Sequence, residues 1–215
     1  RDSSTSRGLG DVYKRQELDS IYNGGCEKNP DICFVFMNPT GKNIASDKSW
    51  KGRKSPWLGT KNIWKLFYKV DLLSEETFNK IQGKKPKEWD YEFCNYVYEE
   101  IEKNKLFITN LGKCTQIDAR PLPDEVLKKY LDLLFKEINI IKPKIIITTG
   151  THTAVPMCYI GKIFGSKIIF IETFANKNTK TLSGKMVYPI ADLFIVQWEE
   201  MKKLYPKAVY GGAIY

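Results

Sequence analysis

Asparagine side chains follow two apolar stretches of the sequence, where buried strands are expected to end. Asn38 follows ICFVFM and precedes Pro39 and Thr40, and Asn110 closes LFITN. In open parallel sheets, ligands bind at the carboxyl ends of the strands. An amide is a poor base, but it can hold a water molecule or read the edge of a nucleobase through its donor and acceptor. The two asparagines therefore predict a site that works by positioning rather than by proton removal.

Basic residues are concentrated just after the Asn-Pro-Thr segment. Between residues 42 and 69 the sequence has eight basic residues and one acidic residue, Asp47, in a chain of net charge +9. Tryptophans are interleaved with them, a pattern typical of surfaces that contact phosphates and stack on bases. This pattern favours DNA as a partner, with phosphate contacts from Lys42, Lys48, Lys51, Arg53 and Lys54.

Each of these features also has a purely structural interpretation. Asn-Pro is common in turns at the ends of strands. Trp64 stands at helical spacing with Phe67, as core residues do, and the lysines of the same segment at positions 61, 65 and 69 fit the solvated face of that helix. The residues alone leave both interpretations open.

The elements that would position these residues alternate between strand and helix. Apolar strand-like stretches are ICFVFM, KLFITNL, KIIITTG, KIIFIET and DLFIVQ. Helices are predicted at TKNIWKLFYKV, capped by Thr60, and at YEFCNYVYEEIEKN, PDEVLKKYLDLLFKEINII and WEEMKKLY, with an apolar helix at AVPMCYIGKIFG and a short one at ELDSIYN. A loop is predicted up to residue 185. The alternation predicts a three-layer α/β/α fold with a mainly parallel central sheet.

Composition narrows the class of protein. The five cysteines are odd in number and scattered, which indicates reduced thiols in a cytoplasmic protein. His152 is the single histidine and no other ligand stands at a suitable spacing, so we expect neither a metal nor another cofactor. No stretch approaches the ~20 apolar residues of a membrane span.

Residues 24–150 resemble the uracil-DNA glycosylase superfamily. The segments that carry the resemblance are FMNPTGKNIAS, SPWLGTKNIWKLF, LFITNLGKC, PLPDE and INIIKPKIIITTG, in the order of that family. The resemblance implies that Asn38 positions the hydrolytic water, beside Pro39 and Thr40. It also implies that Trp57 stacks on an extruded uracil and Asn110 reads its edge, with Lys113 at a phosphate. The expected function is hydrolysis of the N-glycosidic bond of uracil in DNA. The expected activity is low, because the family's late His-Pro-Ser motif has no counterpart in this chain.

Residues 143–215 are similar to a different family. TTGTHTAVP, FIETFA, LSGKMVYPIADLFIVQWEE and YPKAVYGG follow the order seen in the carboxyl half of the membrane-recruiting subunit of two-part N-acetylglucosaminyltransferases and capsular polysaccharide transferases. This resemblance implies, as the alternative function, a noncatalytic subunit whose partners are a small catalytic subunit and the membrane surface. Gly150, Thr151 and His152 would form a loop near the acceptor.

The two resemblances meet at the strand KPKIIITTG, which suggests a chimera spliced near residues 140–155. The opening RDSSTSRGLGDVYKRQ resembles translated sequencing-adapter sequence. We therefore expect a non-native leader at residues 1–16, a glycosylase-like segment at 17–150 and a transferase-like segment at 151–215.

Overall fold

The computed structural model describes residues 18–117, 122–149 and 154–212. The expected leader, residues 1–16, lies outside this description. Within the described residues, the five cysteines are free thiols.

Seven strands form one sheet in the described part of the chain, in the order β1-β3-β2-β4-β5-β6-β7. The edge strand β1 is antiparallel to β3, and every other neighbouring pair is parallel. With helices on either side, this sheet confirms the predicted three-layer α/β/α fold. The strands are β1 (Asn23–Gly25), β2 (Ile32–Phe36), β3 (Leu106–Asn110), β4 (Ile145–Thr149), β5 (Lys167–Ile171), β6 (Leu193–Val196) and β7 (Val209–Tyr210).

Six α-helices connect these strands among the described residues, together with three short 3-10 helices at Ile44–Ser46, Pro86–Glu88 and Glu199–Lys203. The α-helices are α1 (Asn62–Lys69), α2 (Glu75–Gly83), α3 (Tyr91–Lys103), α4 (Asp124–Ile141), α5 (Ala154–Ile163) and α6 (Leu182–Val187). Ser74 and Asp90 cap α2 and α3, each accepting a backbone N–H three residues later.

The helices divide into two layers according to the direction in which the chain crosses the sheet. Helices α1, α2 and α3 lie between β2 and β3 in sequence and share a core with Phe34 and Ile108. The chain then crosses to the other side of β2, and α4, α5 and α6 form a second core with Val35, Ile146 and Phe170. Right-handed crossovers require this arrangement, because reversing the direction of travel moves the connecting helix to the opposite face.

Several local predictions were wrong. Residues 18–23 of ELDSIYN form no helix, because Ile21 is buried and its N–H bonds to the carbonyl oxygen of Lys113. Helix α1 starts after Lys61 rather than at a Thr60 cap. The predicted loop before residue 185 contains the start of α6, and WEEMKKLY forms a short 3-10 helix.

Gly161 provides a test of the packing between α5 and the sheet. A Cβ at this position would lie 2.5 Å from Cδ1 of Ile146 and 2.9 Å from Cδ1 of Ile168, both fully buried. We expect Gly161→Val to lower the free energy of unfolding by about 1–3 kcal/mol through overpacking. Urea denaturation measures this loss. Gly83→Ala is the control, since no atom lies within 4 Å of its added Cβ; an equal loss in both variants would contradict the packing argument.

Candidate functional site

The carboxyl ends of β2 and β3 are joined by hydrogen bonds that continue beyond the strands. The N–H of Leu111 donates to the carbonyl oxygen of Phe36 (2.8 Å), and that of Gly112 to the carbonyl oxygen of Met37 (2.8 Å). Further along, the N–H of Gln116 donates to the carbonyl oxygen of Pro39 (3.0 Å). The predicted site residues Pro39 and Thr40 therefore lie in a backbone ladder, where Pro39 is buried and Thr40 bridges to Gln116.

The two predicted asparagines differ in their environments. Asn38 is half-buried, and its Nδ2 donates to the carbonyl oxygen of the next residue, Pro39, at 3.2 Å. Asn110 is 2% exposed and pairs in register with Phe36. Its Nδ2 has no hydrogen-bond partner among the described residues. The predicted open cleft is therefore wrong at Asn110, which is enclosed by packed structure.

Trp57 packs against β2 in an uncommon backbone conformation. Its φ is +66°, and its ring meets the ring of Phe36 edge-on at 5.0 Å between centroids. Its carbonyl oxygen accepts bonds from Nε1 of Trp64 (3.2 Å) and Oγ1 of Thr60 (2.7 Å). These bonds hold the 57–60 turn against α1, and Trp64 is fully buried, as its helical spacing indicates.

Lys113 is a buried structural cation. Its side chain is 4% exposed, and its Nζ lies 3.0 Å from Oε2 of Glu137 and 2.9 Å from the carbonyl oxygen of Asn110. Thr109 and Asn23 also donate to the Glu137 carboxylate, so β1, β3 and α4 meet there. Burial lowers the pKa of the Lys113 ammonium even beside Glu137. The predicted phosphate contact is therefore corrected, because Lys113 does not reach the surface.

The basic cluster predicted to contact DNA divides into two groups. Lys54 donates to Asp19 (2.8 Å) and to the carbonyl oxygen of Ala45 (2.9 Å), so it holds its own loop together. Arg53 lies over the ring of Tyr98, 4.4 Å from its centroid, and pairs with Glu102. Their predicted phosphate roles gain no support, since Lys54 is bonded within its own loop and Arg53 is paired with Glu102. The exposed members are Lys42, Lys48 and Lys51.

The Lys113–Glu137 pair gives a quantitative prediction. Lys113→Met leaves the Glu137 carboxylate buried without its cation, and we expect a loss of about 3–5 kcal/mol in the free energy of unfolding. Adding Glu137→Leu restores most of that stability. Urea denaturation of the two single variants and the double variant measures the coupling. The matched control is Lys80→Met in the exposed pair with Glu76, where we expect little change. Independent, additive losses at the buried pair would contradict this account.

On the other side of β2, the ends of β4, β5 and β6 form the second part of the same edge. The predicted loop residues Gly150, Thr151 and His152 lie outside the described residues. Just before them, Thr148 donates from Oγ1 to the carbonyl oxygen of Val35 at 3.0 Å, which links β4 to β2 at this end.

Glu172 organises the loop that follows β5. It is 1% exposed, and its carboxylate accepts bonds from the N–H of Thr173 (2.9 Å), Oγ1 of Thr181 (2.8 Å) and the hydroxyl of Tyr205 (3.0 Å). Burial and this carboxylate raise the pKa of Tyr205. Gly184 is required beside it, because a Cβ there would overlap the carboxylate and the tyrosine hydroxyl. With donors on both oxygens, Glu172 has a structural role.

An aromatic surface that sequence analysis missed lies beside this loop. Phe174 stacks on Trp198 with 4.4 Å between ring centroids, and Nε1 of Trp198 donates to the carbonyl oxygen of Phe174. Lys177 lies 4.9 Å above the Trp198 ring and pairs with Glu200. Phe174 and Trp198 are 24 residues apart, so no local spacing indicated the contact. The surface suits docking better than acid–base chemistry.

Glu172→Gln tests the organising role of this carboxylate. The substitution removes the negative charge to which the N–H of Thr173 and the hydroxyls of Thr181 and Tyr205 are bonded, so we expect a loss of about 1–3 kcal/mol in the free energy of unfolding. Thermal or urea denaturation measures it. Glu199→Gln, at an exposed residue, is the control and should leave stability unchanged. A Glu172→Gln variant as stable as the parent would show that the hydrogen bonds to the carboxylate contribute little.

The topology defines an open, doubly wound α/β protein, with a reversal of chain direction at β2 and polar loops at the carboxyl ends of the strands. The family model described as "Oligosaccharide biosynthesis protein Alg14 like" matches residues 70–214. The chain belongs to this Alg14-like family. The match begins well before residue 143, the first residue of the segment that resembles transferase subunits.

Individual relatives carry a consistent name. UDP-N-acetylglucosamine transferase subunit ALG14 of Homo sapiens is 35% identical over 88 residues, which cover 38% of this chain and 41% of that protein. The protein of the same name from Candida albicans is 40% identical over 89 residues, covering 38% of this chain and 41% of its own length. The chain therefore spans about two fifths of the length of the curated relatives it matches.

These comparisons overturn the main functional prediction. The uracil-DNA glycosylase assignment, its hydrolase activity and DNA as a partner are wrong, because the chain belongs to a family named for oligosaccharide biosynthesis. The roles given to Asn38 and Trp57 rested on that resemblance and have no other support. The expected splice near residues 140–155 gains no support, since the family match extends across those residues.

Proposed function

We propose that this chain is a noncatalytic subunit of a UDP-N-acetylglucosamine transferase in oligosaccharide or exopolysaccharide biosynthesis. The observation that carries the proposal is the family match over residues 70–214, together with relatives that are named as subunits of that transferase. Because the chain spans only part of those relatives, its activity and partners are inferred here from their names and from its own surfaces.

The chemistry of the described carboxyl edge supports a noncatalytic role. Glu172 is buried and accepts bonds from three protein donors, and the Lys113–Glu137 pair is buried and bonded internally. A general acid or base must reach the proton that it transfers. These buried charged groups instead fix the backbone around the edge, as expected of a subunit that presents a surface to another protein.

Two partners follow from this proposal. The first is a small catalytic subunit that docks on residues 186–215, where exposed Val209 and Tyr210 form the edge strand β7. The second is the membrane surface, with the chain on its cytoplasmic side. A search of the described residues for a helix long and apolar enough to traverse a bilayer finds none.

Reconstitution with a catalytic partner tests the function. The purified chain is combined with the catalytic subunit of the Candida albicans UDP-N-acetylglucosamine transferase, and transfer of radiolabelled N-acetylglucosamine to a diphosphate-linked lipid is measured. We expect transfer by the mixture and none by this chain alone.

Two controls make the result decisive. Omitting the chain gives the background of the catalytic subunit, and omitting the acceptor lipid gives hydrolysis of the nucleotide sugar. Transfer by the chain alone would contradict the noncatalytic assignment. A catalytic subunit that neither binds the chain nor gains activity from it would contradict the proposed function itself.

A further inference from the structure

A cavity lies beside the edge strand β1, between β3 and α4. Its volume is about 540 Å³, which is within the range of small-molecule sites in proteins. Its apolar wall includes Phe107 of β3 and Leu133, Ile140 and Ile141 of α4. The buried Lys113–Glu137 pair and the half-buried Asn23 also line it. An apolar wall with a few polar groups is the usual composition of a ligand pocket.

Backbone hydrogen bonds between separate elements fix the walls of this cavity. The N–H of Ile21 donates to the carbonyl oxygen of Lys113 (3.0 Å), and that of Asn29 donates to the carbonyl oxygen of Ile141 (2.9 Å). The segment that carries β1 is therefore tied at one end to the residues that follow β3 and at the other end to the last turn of α4. Because the walls are fixed within the chain itself, a ligand binds without the cost of ordering them.

The polar groups of the cavity keep some hydrogen-bonding capacity. The carboxylate of Glu137 accepts one bond from each of three side chains, Asn23, Thr109 and Lys113. A carboxylate can accept about four bonds. Asn23 uses one N–H on Glu137, and its amide oxygen bonds to none of the described residues. The positions that stay open are mainly acceptors, so they fit a ligand that donates hydrogen bonds.

The lysine of the cavity has no donor to spare. Lys113 directs its three N–H groups at Thr109, at Glu137 and at the carbonyl oxygen of Asn110. A ligand that brings only acceptors, such as a carboxylate or a phosphate, would have to displace one of these bonds.

The charges of the cavity already cancel one another. Lys113 balances Glu137 at 3.0 Å, and the exposed lining residues Glu27 and Lys28 carry opposite charges. An ionic ligand would bring its charge into a partly desolvated site whose buried ions are already paired, which is costly. The ligand that fits is therefore uncharged.

We propose that this cavity binds a small uncharged molecule that has an apolar ring and a head that donates hydrogen bonds, such as a primary amide or an alcohol. The ring packs on Phe107 and on the aliphatic side chains of α4, and the head bonds to Glu137 and Asn23. The bound molecule joins the edge strand β1 to α4. This inference goes beyond the proposed function and does not depend on it.

Three ligands that share one ring and differ in charge test the site. The probes are benzamide, benzoate and protonated benzylamine, each titrated into the full chain at pH 7. We expect benzamide to bind with a dissociation constant on the order of 1 mM. We expect both ions to bind at least about tenfold more weakly, because neither finds an unpaired counter-ion on the floor of the cavity.

Two-dimensional 1H–15N NMR spectra measure this binding residue by residue. The side-chain amide of Asn23 and the backbone N–H groups of Phe107 and Ile140 should shift with benzamide and saturate together. The backbone N–H of Phe78 on α2, which does not line the cavity, is the internal control and should not shift.

Two variants place the ligand in the cavity. Leu133 is 45% exposed, so Leu133→Trp can fold while its larger ring takes up the space of the ligand, and we expect benzamide to bind at least about tenfold more weakly. Asn23→Ala removes one partner of the head and should weaken benzamide by about fivefold. The matched control is Ile163→Trp, at a residue of α5 that is 76% exposed and does not line the cavity; it should bind like the parent chain. Circular dichroism melts verify that each variant is folded.

Three outcomes would overturn the inference. The first is the absence of saturable shifts at Asn23, Phe107 and Ile140 up to about 20 mM benzamide. The second is equal binding of the three probes, which would show an adventitious apolar contact only. The third is unchanged binding to folded Leu133→Trp, which would place the ligand elsewhere. The transfer assay with the catalytic subunit is measured separately, so failure of the cavity leaves the proposed function standing, and failure of transfer leaves the cavity standing.

Discussion

The pairing of β2 with β4 is the interaction on which the rest of the structure depends. Cys33, Phe34 and Val35 align with Ile146, Ile147 and Thr148, and the Thr148 hydroxyl adds a bond to Val35 at the carboxyl end. β2 precedes residue 70, where the family match begins, yet it lies inside the sheet, between β3 and β4. Both helical layers therefore pack against β2. The side of β2 on which β4 pairs determines which helical layer covers the later strands.

The sequence predicted the elements that carry strong local patterns. Five parallel strands and the long helices were found because their apolar residues repeat at strand or helix spacing. The antiparallel strand β1 was missed, because three residues containing two glycines give no periodicity. The start of α6 was missed because Leu182–Val187 is short and contains a glycine. That glycine, Gly184, leaves room for the Glu172 carboxylate.

The candidate site was harder to predict because its contacts join distant residues. Lys113 and Glu137 are separated by 24 residues, and a lysine after a strand looks the same in sequence whether it is exposed or paired inside. The resemblance of the first half to a glycosylase rested on short segments, two of which contain the ends of β2 and β3. The longer match from residue 70 to 214 corrected the class of protein.

The buried charged groups are bonded internally, which agrees with the proposed role of the chain as a noncatalytic subunit that docks on a catalytic partner. Hydrogen–deuterium exchange of the chain with and without the catalytic subunit tests this claim most directly. The account predicts slower exchange in β5, β6 and residues 193–212 on binding, with α1, α2 and α3 unchanged. Unchanged exchange throughout the chain, or protection confined to α1, α2 and α3, would contradict it.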